Sequence, residues 1–348
     1  MTPTIRDVAS RADVSFQLAA AVLGGKKYAR AAESTRKKIF SAAQELGYVP
    51  NASARILRGD ASRIIGIIID SRAPESVFSL LAEIEHAADQ LGYRILSAQA
   101  HDNPEKLMTS YRSLKQTGVD GIISLAHDYS QLNCRLDAQL KDDPKIVFVL
   151  NTLENQCSSI CVDTADGMVQ AVDHLRAEGY RNPALVLIKD GKPNQLSLSR
   201  RNRIDGFLRA CPDGKVFYLE KGSDSFSDLA VKCGELIRKN LIPEQVNSVI
   251  AENDNIAAVL MKQLLSEGIR IPDDFGLIGW DNLLIGECLP VTLTTLYYDQ
   301  SEIAEAALRM ILARIEGRAA DAHVKFKCKM IVRESSNKTK KLERRGVE

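Results

Sequence analysis

Residues 4–25 read TIRDVASRADVSFQLAAAVLGG, and their spacing decides how the chain begins. Ile5, Val8, Ala9 and Ala12 fall at i, i+3, i+4 and i+7, which is one face of a helix. Thr4 precedes them as an N-cap and Asp7 follows three residues later, so that side chain and backbone donor can satisfy each other across the first turn. Ser15 caps a second helix whose buried stripe is Leu18, Ala19, Val22 and Leu23, and Gly24 ends it. Two short helices joined by so tight a turn read as a helix-turn-helix. A third helix is expected over 34–46, with Ile39, Phe40, Ala43 and Leu46 inward, Arg36, Lys37 and Lys38 outward, and Gly47 just past its end. Three helices in under about fifty residues make a weak core, so such a unit is built to bind something.

Charge indicates what. The 348-residue chain has a net charge of +1, but residues 1–60 hold ten Lys/Arg against five Asp/Glu, and residues 333–348 hold six against three. The stretch between them is acidic by seven. A basic head on an acidic body suits a polyanionic partner. Directly after the head, PNASARILRG (50–59) reads as a helix of about seven residues, too short to persist alone in water. Asn51 caps it, Arg55 and Arg58 carry phosphate-seeking charge, and Leu57 is an apolar wedge of the kind that opens base steps from the minor groove.

From residue 62 onward, apolar strands alternate with amphipathic helices. Strands are expected at 64–69, 94–97, 121–125 and 146–150, and a second series follows at ALVLI (184–188), VFYLE (216–220), NSVIA (247–251) and FGLIG (275–279). The fold class is α/β, with two doubly wound parallel-sheet lobes behind the helical head and a cleft between them. Ligands of such sheets gather at the carboxyl ends of strands. The residues there are Asp70, Asn151, Asn253 with Asp254, and Asp281 with Asn282, beside an arginine-bearing helix start, SRRNRIDGF (199–207). These donors and acceptors suit a small ligand with many hydroxyls, although an Asp or Asn after a strand also commonly caps the next helix, the role expected of Asp254 and Asn282.

TIRDVASRADVS, STRKKI and ELGYVPNASARILR together resemble the head and hinge of the lactose-repressor (LacI/GalR) family of bacterial transcriptional regulators. The resemblance continues through IIGIIID, GVDGIISL, HLRAEGYRNPALV, IAENDNIAAVLM, GIRIPDDFGLIGWDN, TLTTL and IVRESS, in the family's order. It implies a dimeric regulator, expected to be a repressor, that binds a palindromic double-stranded operator under control of a small effector, a sugar or sugar derivative. The implied divisions are a head at 1–49, a hinge at 50–61 and a core at 62–348 with periplasmic-binding-protein-like lobes. The first lobe is expected over about 62–160 plus 293–322, the second over about 161–292 plus 323–334, and a basic tail over 335–348.

Carried over by position, the implied DNA-binding residues are Thr4, Ser15, Phe16, Gln17, Lys26, Lys27, Arg36, Asn51, Ala54, Arg55, Leu57 and Arg58. The implied effector-binding residues are Asp70, Asn151, Arg203, Asn253, Asp281 and Tyr298. Arg203 stands three before Gly206, as the family's effector-binding arginine does. Asp281 matches the first carboxylate of the family's Gly-aromatic-Asp-Asp, and Asn282 replaces the second. Tyr298 replaces a common Gln, and Glu252 replaces the Ala of Ala-Asn-Asp. The largest departure is in the recognition helix, where Leu18, Ala19, Ala20 and Ala21 replace Thr-Val-Ser-Arg. Base readout would then rest on Gln17, which can pair with adenine, and on Phe16 and alanine methyls against thymine. The alternative is a solute-binding protein whose head no longer reads sequence.

Other classes find no support in the residues. The N-terminus is polar, no apolar run approaches the roughly 20 residues of a membrane span, and a cytoplasmic protein is expected. The seven cysteines are odd in number and scattered, as for reduced structural thiols, and Cys157 with Cys161 finds no second ligand pair. The five histidines have no metal spacing, GKPNQLS (191–197) is not a phosphate loop, and no catalytic constellation stands out. Neither an enzyme nor a cofactor or metal is expected.

Overall fold

The computed structural model describes residues 3–24, 31–48, 61–71, 73–100, 103–126, 138–150, 158–189, 196–220, 225–318 and 323–338. It divides into two compact units, 1–63 and 64–348.

The first unit holds α1 (Ile5–Arg11), α2 (Phe16–Leu23) and α3 (Glu33–Glu45). The capping box at α1 is present: the Asp7 amide donates to the Thr4 hydroxyl at 3.4 Å, and the Thr4 amide donates to the Asp7 carboxylate at 2.7 Å. The Thr4 amide, together with the Thr4 hydroxyl, donates to the Asp7 carboxylate and holds that carboxyl below the usual range. The Leu18 amide donates to the Ser15 hydroxyl at 3.2 Å and caps α2. Val8, Ala9, Ala12, Ala19, Val22, Ile39, Ala42 and Ala43 form the core. The buried positions on α3 are Ile39, Ala42 and Ala43, while Phe40, expected inward, is 53% exposed. With Ile39 at the centre of the buried face, i+3 and i+4 complete it, and residue 40 lies a hundred degrees or so around the helix.

The second unit contains two six-stranded sheets. The elements run β1 (Ile64–Ile69), α4 (Glu75–Gln90), β2 (Arg94–Gln99), α5 (Pro104–Thr117), β3 (Gly121–Ser124), α6 (Ala138–Lys141), β4 (Ile146–Val149) and β5 (Ser159–Asp163). Then come α7 (Thr164–Ala177), β6 (Pro183–Lys189), α8 (Leu198–Ala210), β7 (Lys215–Glu220), α9 (Phe226–Leu236), β8 (Ser248–Ala251), α10 (Asp254–Ser266), β9 (Gly276–Trp280) and α11 (Ile285–Cys288). The chain finishes with β10 (Thr294–Tyr297), α12 (Gln300–Ile315), β11 (His323–Lys327) and β12 (Lys329–Ile331).

The first sheet has the order β11-β5-β4-β3-β1-β2 and the second β12-β10-β9-β8-β6-β7. All pairings are parallel except β10 with β12. The central strands are apolar on both faces because helices cover both; β3, β4, β8 and β9 are buried throughout. In each lobe the strand order reverses once, between β1 and β3 and between β6 and β8, and a crevice opens outside the carboxyl ends at such a switch point.

The lobe boundaries differ from those expected. Residues 294–297 belong to the second sheet rather than the first, and residues 323–327 to the first rather than the second. The chain therefore crosses between lobes after β5, after β10 and at Cys328 between β11 and β12. Pairing register decides these memberships: Thr294–Leu296 add to β9, whereas His323–Lys327 extend β5 along its free edge.

Candidate DNA-binding head and effector cleft

In the head, Ser15, Phe16 and Gln17 lie exposed together at the start of α2, with Ala20 and Ala21 half-buried behind them. Phe16 is 45% exposed, a large apolar ring with no place in the core. Lys37 and Lys38 are exposed on α3, and Arg36 is half-buried. Thr4 is exposed, and its hydroxyl donates to Asp7 at 2.7 Å. Lys26, Lys27, Asn51, Ala54, Arg55, Leu57 and Arg58 lie outside the described residues, as does Asn151.

In the core, Arg203 projects from α8, and Gly206 sets where that helix lies. A Cβ at residue 206 would stand 2.3 Å from the Ala165 carbonyl oxygen, so only glycine lets α8 approach α7 this closely. Arg203 is 9% exposed. Its guanidinium lies 3.9 Å from the centroid of the buried Trp280 ring, and Nη1 donates to the Glu252 carbonyl at 2.6 Å. Nε is buried with no partner among the described residues. Burial works against the charge of Arg203, while Glu252 and Asp281 support it. A buried donor with no acceptor is costly, and a ligand oxygen would relieve that cost.

Asp281 follows β9 with φ of 101°, a backbone region that L-residues rarely occupy and that is often found at functional sites. Its amide donates to the Leu296 carbonyl at 2.7 Å, which fixes the turn. Burial pushes its carboxyl up to about 6, with Arg203 and a hydrogen bond to Ser76 pulling the other way and Glu252 and Glu75 adding to the rise. Tyr298, just after β10, also shares a hydrogen bond with Ser76, and burial raises its hydroxyl well above the ordinary value. Ser76 begins α4 of the first lobe, so the first lobe meets Asp281 and Tyr298 across the cleft. Arg203, Asp281 and Tyr298 are thus brought together. Asp70 stands half-buried at the end of β1, and its carbonyl accepts from the Ala73 amide at 3.1 Å.

Asn253 has a different place. Its side-chain oxygen accepts from the Ile256 amide at 2.9 Å and caps α10, the role expected of Asp254. Asp254 instead is fully buried and accepts from Thr295 Oγ1 at 2.7 Å and from the Leu283 amide at 2.6 Å, tying β10 to the loop after β9. Burial lifts its carboxyl to about 7. Asn282 is also structural, its amide oxygen accepting from Arg333 at 2.9 Å. Three participants carried no usable sequence signal: Ser76, Trp280 as a platform for Arg203, and Arg200 as partner of Glu252. Each depends on which strand ends the tertiary fold brings side by side.

The second lobe has a groove of about 860 Å³ between α9 and α10, lined by Phe226, Leu229, Ala258, Leu265, Ile285 and Leu289. Asn253 borders it. Phe226 is 54% exposed and carries the Lys262 ammonium 4.7 Å from its ring centroid.

Residues 4–51 match the family model described as bacterial regulatory proteins, lacI family, and residues 172–336 match a periplasmic binding protein-like domain. The chain is thus similar to bacterial regulatory proteins of the lacI family, with a lacI-type head ahead of a periplasmic-binding-protein-like domain. The HTH-type transcriptional repressor PurR of Vibrio cholerae serotype O1 is 27% identical over 326 residues, covering 92% of this chain and 94% of that protein. The HTH-type transcriptional regulator DegA of Bacillus subtilis is 27% identical over 308 residues, covering 85% and 86%. A crystal structure of the lac repressor dimer bound to operator and the anti-inducer ONPF superposes with a TM-score of 0.83 at 24% identity, over 97% of this chain and all of that one. The relatives that the chain matches over most of its length are HTH-type transcriptional regulators. Among the described residues, no helix is long and apolar enough to cross a membrane.

Proposed function

We propose that the protein is a cytoplasmic repressor that binds a palindromic operator as a homodimer and responds to a small, sugar-like effector held between its lobes. The observation that carries the effector reading is the orphaned, buried Nε of Arg203, set against Trp280 beside Asp281, where a residue of the opposite lobe arrives. An effector that fills this point touches both lobes, so it binds one lobe arrangement better than another, which is the condition for shifting an equilibrium. In this reading the shift reaches DNA through the spacing of the two hinge segments, whose sequence is that of a helix too short to persist alone in water. The apolar groove between α9 and α10 supports pairing with a second copy, since two-fold operators are read by two-fold proteins.

The test is a mobility shift on DNA upstream of the protein's own gene, with effectors first selected by thermal shift from sugars and related metabolites. Arg203→Ala and Asp281→Ala are expected to retain operator binding and to lose the response, at about 1.5–3 kcal/mol for each charge-assisted hydrogen bond. If both variants respond at wild-type concentrations, the effector binds elsewhere. A second reading rests on Ala20 and Ala21, which offer no polar group where the head faces bases. In that reading the head binds DNA without reading it, and selection from random duplexes would return no consensus.

A further inference from the structure

The switch point of the second lobe, between β6 and β8, is where an open α/β sheet offers its crevice, and here that crevice is already occupied by a side chain. Glu252 follows β8 directly. Its Oε1 accepts from Arg200 Nε at 3.0 Å and Nη2 at 2.8 Å, and its Oε2 accepts from the Ile188 amide of β6. The two side chains are only 16% and 14% exposed. A pair so withdrawn from water is weakly screened, and its field extends into the neighbouring pocket. The effect on neighbours shows this: Glu252 raises the carboxyl of Asp281 and supports the charge of Arg203. The strand-end amide of Ile188 and the guanidinium of Arg200 are the kinds of donor that otherwise receive an anionic group of a ligand. Glu252 supplies that anion from within the chain.

We infer that Glu252 is a specificity-determining residue, a built-in counter-anion that makes the cleft select a neutral, hydroxyl-rich effector and reject phosphorylated or carboxylated forms. The inference rests on the cleft being the effector site. Discrimination arises from a repulsive element: an anionic group near Glu252 meets a like charge in a poorly solvated place, whereas a hydroxyl meets Arg203 and Asp281 without that cost. A substitution that keeps the shape of Glu252 and removes its charge reverses the preference. In Glu252→Gln the pocket is more positive by one charge, and the donors around Arg200 and Ile188 face an amide instead of a carboxylate.

The experiment uses the full chain and inorganic phosphate as probe, in thermal shift and titration calorimetry at matched ionic strength. Glu252→Gln is expected to show saturable stabilisation by millimolar phosphate, at least about tenfold tighter than wild type. Glu252→Asp, which retains the charge, should behave like wild type. Adding Arg200→Gln to Glu252→Gln should abolish the gain. If glutamine disturbs folding, seen as a lowered melting temperature without phosphate, Glu252→Ala is read in its place. Wild-type protein that binds phosphate as tightly as the neutral variants overturns the inference, as do folded neutral variants with no gain. An operator mobility shift separates this from the effector reading. Phosphate that binds Glu252→Gln but leaves operator affinity unchanged supports the counter-anion and refutes the cleft as effector site. Absent phosphate gain with an intact response to a neutral effector does the reverse.

Discussion

Gly206→Ala tests whether helix packing is what places Arg203. The added methyl would lie 2.3 Å from the Ala165 carbonyl oxygen, 2.6 Å from its Cα and 2.8 Å from its carbonyl carbon, where ordinary contact begins at 3.4 Å. All three atoms are backbone, so no rotamer change relieves the overlap, and α8 must withdraw from α7 by about 1 Å in a close-packed interior. Alanine improves a helix interior over glycine by about 0.8–1.0 kcal/mol. Overpacking of this kind costs about 1–3 kcal/mol, and contact with rigid backbone belongs at the upper end. The clash therefore wins, with a net loss of about 1–2 kcal/mol, or about 2–4 °C of melting temperature for each kcal/mol. The same withdrawal carries Arg203, one turn earlier, away from Trp280 and the Glu252 carbonyl, so the effector response should weaken beyond what stability accounts for. Urea unfolding and effector titration measure the two parts. A Gly206→Ala protein that melts at or above wild type refutes the reasoning, because helix propensity would then outweigh a contact that is not there.

Three further outcomes are expected. Asp281 has its carboxyl raised to about 6, so below the ordinary carboxylate range the protonated form favours the folded state, and that contribution is lost as pH rises through about 6. An effector that donates to the carboxylate should bind less tightly as pH falls from 7 to about 5, and Asp281→Asn should flatten that profile in calorimetry. Leu57→Ala should remove most operator affinity, by a few kcal/mol or so, with effector binding unchanged; an unaltered dissociation constant at matched salt would exclude the wedge. Gln17→Ala should relax one position of each half-site at a cost of about 1–3 kcal/mol, whereas Lys26→Ala with Lys27→Ala should weaken all sequences alike and reduce the salt slope by about one unit per lost phosphate contact. Selection from random duplexes and salt titration distinguish the two behaviours.

Local chemistry was legible along the chain itself. Thr4 with Asp7, Ser15 before an apolar stripe, and the isoleucine-rich run of β1 each state their structure through neighbours a few residues away, because caps and periodic faces are short-range physics. The head, the alternation of strands and helices, and the gathering of polar residues at strand ends follow from that. Long-range pairing was not legible. Whether residues 294–297 and 323–327 join one sheet or the other depends on which edge is vacant when the chain returns, and their own patterns fit both. The same holds in the cleft. Asn253 and Asp254 are adjacent and chemically alike, yet Asn253 caps a helix while Asp254 is buried against Thr295, 41 residues away. Glu252 is a single departure from a motif until the switch point places it against Arg200 and Ile188, 52 and 64 residues distant. Sequence determines which groups arrive at the strand ends; only the packed sheets decide which of them face one another, because that choice is made by register and by how closely two helices can approach.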